Sequence, residues 1–150
     1  MPNTTFAQSY LKIDGSFLPI EECSAAHSLP DEDYIEGSIS CCINGQFFLT
    51  EEHWDLVDQL WAYILEGLSR LNRNEIYEST FPDQPLLLRL EPISEELVKV
   101  SVGNNSYDLD RRILVRTLST GANQFFSTMK KLYPNAESTW NRYIQMAMKS

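Results

Sequence analysis

The chain has 150 residues, 43% of them hydrophobic and 11% aromatic, and a net charge of −9 from 12 basic and 21 acidic residues. That length fits a single domain spanning 1–150, and the apolar content excludes a disordered chain. A pI near 4.6 argues against nucleic acid or an anionic membrane as partner, because both need clustered Lys and Arg.

The charge is uneven. Residues 1–60 hold Lys12 as their one base and eleven acids: Asp14, Glu21, Glu22, Asp31, Glu32, Asp33, Glu36, Glu51, Glu52, Asp55 and Asp58. Their net is 1 − 11 = −10, so the remainder carries +1. No apolar run approaches the roughly 18 residues of a membrane span, and the N-terminus lacks a basic region followed by an apolar stretch. With three cysteines, too few for a disulfide framework, this predicts a cytoplasmic protein.

Residues 1–5 are polar and expected to fray. Alternation over Phe6–Ile13 predicts a strand that stops at Asp14–Gly15. Residues 14–33 are irregular and acidic, with two prolines and room for a short strand at Ser16–Ile20. From Tyr34 to Thr50 the pattern is a hairpin. Ile35, Gly37, Ile39, Cys41 and Ile43 share one parity, and Asn44–Gly45 supplies a type I′ turn. Thr50 then caps a predicted helix with Glu51 and Glu52 in its first turn. Its apolar face is Trp54, Val57, Trp61, Ile64, Leu65, Leu68 and Leu71, and it ends near Leu71–Arg73.

Residues 74–85 read as a connection. Leu86–Leu90 is a buried strand between prolines, Leu97–Val102 a second and Ser106–Leu109 a third. Asp110 caps a long helix whose apolar face runs from Ile113 and Leu114 to Met129 and Leu132, with Gly121 marking close packing or a kink. Pro134–Asn135 stops it, and a last helix, Glu137 to Met148, places Trp140, Tyr143, Ile144 and Met148 on one side. The predicted class is α+β: an antiparallel β-meander with two long helices and a C-terminal helix packed on one face.

No catalytic residue, metal site or cofactor motif is expected. His27 and His53, the two imidazoles, lie in no nucleophile signature. Cys23 and His27 with Cys41 or Cys42 do not have zinc spacing, and adjacent strand cysteines point to opposite faces. The acidic pairs read as solvated surface, and there is no phosphate-binding glycine loop. What remains is the acidic field, with Phe17, Tyr34, Trp54 and Phe81 nearby. Charge steers encounter with a basic protein while aromatics supply affinity; the alternative on the residues alone is that the aromatics are core and the acids only keep the chain soluble. The expected partner-binding residues are Asp14, Glu21, Glu22, Asp31, Glu32, Asp33, Tyr34 and Glu36.

Four phrases carry a resemblance: Ile-Asn-Gly-Gln-Phe-Phe at 43–48, Glu-Glu-His-Trp-Asp-Leu-Val-Asp-Gln-Leu-Trp at 51–61, Phe-Pro-Asp-Gln-Pro at 81–85 and Gly-Ala-Asn-Gln-Phe-Phe at 121–126. Over residues 35–132 the chain resembles small acidic immunity proteins of bacterial toxin–immunity systems, including those of contact-dependent growth inhibition. The resemblance implies a non-enzymatic inhibitor that binds one cognate toxin domain, often a basic nuclease, and blocks its active site or substrate groove. It transfers no binding residues. Two alternatives remain: a ligand-binding domain or enzyme with a pocket between sheet and helices, and a homo-oligomeric adaptor.

Overall fold

The computed structural model describes residues 4–150; of the terminus expected to fray, residues 1–3 lie outside them, while Thr4 and Thr5 are held by the N–H groups of Gly45 and Asn44. The fold is α+β. Among the described residues nine strands form two antiparallel sheets, with three helices against them. β1 (Phe6–Ile13), β2 (Ser16–Pro19), β3 (Glu36–Ile43), β4 (Gln46–Leu49) and β5 (Asp55–Leu56) make the first sheet, in the order β2-β1-β3-β4, with β5 also paired to β3. β6 (Tyr77–Thr80), β7 (Leu87–Pro92), β8 (Leu97–Val102) and β9 (Asn105–Asp110) make the second, a meander in chain order. The helices are α1 (Val57–Asn72), α2 (Arg111–Leu132) and α3 (Glu137–Lys149).

The strands thus divide between two sheets. The second gains β6 from the stretch read as a connection, because Tyr77 and Ser79 pair with Leu90 and Leu88 and carry the meander one strand further. The type I′ turn at Asn44–Gly45 forms as the residues require, with φ of 50° and 83°.

Alternation assigns the faces. Leu11 and Ile13 of β1 join Ile39, Cys41 and Ile43 of β3 in one apolar cluster with Leu88, Leu90, Val98, Val100 and Val102 of the second sheet and the buried residues of α1 and α2. On the opposite face of the second sheet, Arg89 pairs with Glu78 on neighbouring β6 and with Glu91 two positions along its own strand. Gly121 packs closely, as one of its two readings required: a Cβ there would lie 2.9 Å from the Ala7 methyl and 3.0 Å from the Trp61 ring. Beside it the Trp61 indole N–H donates to the buried Ser9 Oγ at 2.9 Å, so the largest side chain of the core has its polar edge satisfied.

One helix start and one helix face differ from the sequence expectation. Thr50 does cap a helix, but only a single 3₁₀ turn, Glu51–His53, closed by a reciprocal bond from the Thr50 N–H to His53 Nδ1. α1 begins at Val57. Between them the buried Asp55 carboxylate accepts the N–H groups of Leu56 and Asp83, at 2.6 and 3.0 Å. Those bonds hold residues 55–56 extended against β3, so Trp54 leaves the expected apolar helix face and is 38% exposed. In α3 the buried residues are Trp140 and Ala147, while Met148 is 67% exposed: steps of three and four from Trp140 lead through Tyr143 and Ile144 to Ala147, one position before it.

Candidate partner-binding surface

Four of the ten acids beyond residue 60 make ion pairs. All four ion pairs among the described residues lie between Glu66 and Glu91: Arg70–Glu66, Arg73–Glu75, Arg89–Glu78 and Arg89–Glu91. Among the described residues none of the eleven acids of residues 1–60 has an ion-pair partner. Their one neighbouring base is otherwise engaged: Lys12 Nζ lies over the Trp54 ring, 4.3 Å from its centroid.

The expected site residues fall into three places. Tyr34 and Glu36 are brought together with acids that the sequence did not single out for binding. The Tyr34 hydroxyl donates to Asp83 Oδ2 at 3.3 Å, and the charge of Asp83 and that hydrogen bond raise the tyrosine above its ordinary pKa. Glu36, Trp54, Asp55, Asp83 and Gln84 line a recess of about 30 Å³ at this edge. The Gln84 side-chain amide donates to the Trp54 carbonyl, which fastens the 81–85 loop here. Phe17 packs on Trp54 with centroids 6.5 Å apart, and Phe47, 48% exposed, meets Phe6 edge-on at 5.7 Å. These aromatics lie on the sheet face away from the helices. Phe81 does not join them; it is buried against His53.

Asp31, Glu32 and Asp33 lie in the exposed loop before β3, where Asp31 Oδ1 accepts the Asp33 N–H at 2.8 Å. The loop is anchored by the Tyr133 hydroxyl, which donates to the Pro30 carbonyl at 2.8 Å. Here Glu32 and Asp33 meet Asp58 at the mouth of a cleft of about 380 Å³ between α1 and α3. Gln59, Ala62 and Tyr63 form one wall; Ala136, Thr139, Trp140 and Tyr143 form the other. Burial pushes the Asp58 carboxyl up to about 6. Burial, then the charges of Asp58, Cys23, Asp31 and Glu32, push the Tyr133 phenol up to about 12.

The remaining expected residues join neither group. Asp14 is at the tip of the β1–β2 turn, in the left-handed region with φ of 51°. Glu21 and Glu22 lie on the 3₁₀ turn after β2, where Glu21 accepts from the Gln8 side chain at 2.7 Å.

The groups weighed for chemistry have local roles. His27 Nδ1 accepts the Ser24 N–H at 3.0 Å, as His53 Nδ1 accepts that of Thr50. Cys41 is in the core, Cys42 Sγ points at the Thr4 carbonyl and Cys23 Sγ at that of Pro19. Among the described residues no three His, Cys, Asp or Glu side chains converge as metal ligands, and no helix is long and apolar enough to cross a membrane.

Sequence reading missed Asp58 and Asp83 as members of these groups, and Tyr63, Trp140 and Tyr143 as walls of the cleft. Trp140 and Tyr143 did carry a signal, as the apolar side of the last helix. No family model, curated protein or solved structure matches this chain.

Proposed function

We propose that this chain is an immunity protein, which binds and neutralises a basic toxin domain by covering its active site or substrate groove. The observation that carries this reading is the unpaired acidic surface of residues 1–60, set beside the set of ion pairs confined to residues 66–91. Unpaired surface acids repel one another and lower the stability of the free chain, and a basic partner relieves that repulsion. Exposed Tyr34 and Trp54 beside Glu36 and Asp83 supply the apolar contacts that give such an interface its affinity. The resemblance to toxin-immunity proteins adds the biological setting: a cytoplasmic, non-enzymatic inhibitor. The test is titration of the purified chain with the C-terminal domain encoded by the neighbouring reading frame, at low and high salt. A tight one-to-one complex that weakens as salt rises supports the reading, and no complex, or one indifferent to salt, overturns it.

A further inference from the structure

The two sheets differ in the face each turns away from the helices. On the second, Glu78, Arg89, Glu91, Lys99 and Asp108 point outward, as a solvated face requires, and Arg89 makes its ion pairs there. The first sheet breaks that rule. Its outward positions carry the rings of Phe6 and Tyr10 on β1, Phe17 on β2 and Phe47 on β4, and Trp54 packs against Phe17. Cys42, the cross-strand neighbour of both Phe6 and Phe47, is 0% exposed, so these rings close over the strand and form a continuous surface. Phe47 and Trp54 still stay 48% and 38% exposed, so both keep ring surface open to solvent.

Charge frames these rings. Glu36 lines the recess beside Trp54, Glu21 accepts from the outward Gln8 amide, and Asp83 accepts from Tyr34 at the neighbouring edge. None of the three has an ion-pair partner among the described residues. Lys12, the one base on β1 to β4, is held over the Trp54 ring.

We propose that the outer face of the first sheet is the surface on which the basic partner docks, with Phe47 and Trp54 as its anchors and Glu21, Glu36 and Asp83 as its rim. Interfaces concentrate their affinity in a few central rings and surround them with a polar border that excludes water. Charge complementarity selects the occupant. A second copy of the chain in a two-fold contact sets these acids against themselves, and nucleic acid or an anionic membrane meets the same repulsion. A protein with a basic surface is attracted by the rim and the rings together. The Asp31–Asp33 loop leads into Tyr34 and extends the field that steers the approach. That the partner is a toxin rests on the immunity reading; the place where it docks is a separate claim, and the experiment keeps the two apart.

The probe is the C-terminal domain encoded by the neighbouring reading frame, added to the full chain and followed by nitrogen-15 NMR of the three tryptophan indoles. Trp61 and Trp140 are internal references, because their indole N–H groups are bonded inside the chain to Ser9 Oγ and to the Tyr133 carbonyl. The Trp54 signal is expected to shift and the other two to stay. Titration calorimetry then compares Phe47→Ala combined with Trp54→Ala against Leu97→Ala, which lies on the outer face of the second sheet and is 41% exposed in the wild type. The double variant is expected to bind about thirtyfold or more weakly, the size of losing one anchoring ring, and Leu97→Ala to bind within about twofold of wild type. A complex that leaves the Trp54 indole unmoved, that the double variant forms as tightly as wild type, or that Leu97→Ala weakens as much overturns the assignment while the immunity reading stands. No complex at all overturns both. A wild-type dimer in sedimentation that the double variant abolishes gives the face to a second copy and overturns the assignment as well.

Discussion

Asp58→Asn removes one charge and keeps the side-chain shape, so its effect on stability isolates the electrostatic state of the cleft. The wild-type carboxyl rises from its ordinary 3.8 to about 6 because burial disfavours its charged form. No base lines the cleft, and the backbone N–H groups of Gln59 and Asp58 offset only part of the effect of burial. Since the folded pKa is raised, the folded state binds the proton more tightly than the unfolded one. The penalty is therefore full above pH 6, shrinks as pH falls through 6, and is gone below 3.8. A rise of this size corresponds to about 3 kcal/mol, reduced to about 2 kcal/mol by the water that still reaches the cleft. Urea denaturation of both chains at pH 8 and pH 4.5 reads it directly. The variant is expected to be the more stable by about 2 kcal/mol at pH 8, with most of that difference lost at pH 4.5. A variant equal to or weaker than wild type at pH 8 refutes the reasoning, because the carboxylate would then be solvated or paired.

Other outcomes follow from the packing and the loop. Ser9→Ala leaves the buried Trp61 indole N–H without its acceptor and is expected to cost about 1–3 kcal/mol in urea denaturation. Gly121→Ala is expected to destabilise by about 1–3 kcal/mol in the same assay, although alanine is the better helix former by about 1 kcal/mol, because the new methyl meets Ala7 and Trp61. Replacing Asp31, Glu32 and Asp33 together with serine is expected to slow association with the basic toxin domain markedly at low salt, read by stopped-flow. Unchanged association kinetics would remove this loop from the interface.

The strands and helices were legible where a local rule decides them. The Asn44–Gly45 turn, the Asp110 cap, which accepts the Ile113 N–H, and the apolar stripes of α1 and α2 all follow from residues within one or two turns of one another. The misses arise from long-range bonds. Asp55 looks like any surface acid in sequence, yet its bond to the Asp83 N–H, 28 residues away, delays α1 and turns Trp54 outward. β6 is short, with only Tyr77 buried, and gains its identity from pairing with β7. The site was legible as a charge imbalance but not as a shape. Nothing local places Asp33 beside Asp58 or brings either to Trp140; the Tyr133 bond to Pro30, spanning 103 positions, does that.

The central claim is that this chain neutralises a basic toxin domain. The most direct measurement is growth of bacteria expressing the C-terminal domain encoded by the neighbouring reading frame, with and without this chain. Growth arrest by the domain alone and recovery with the chain is the predicted result, with recovery reduced when Glu32, Asp33 and Asp58 are neutralised together. A domain that arrests growth equally in the presence of the chain at matched expression would contradict it.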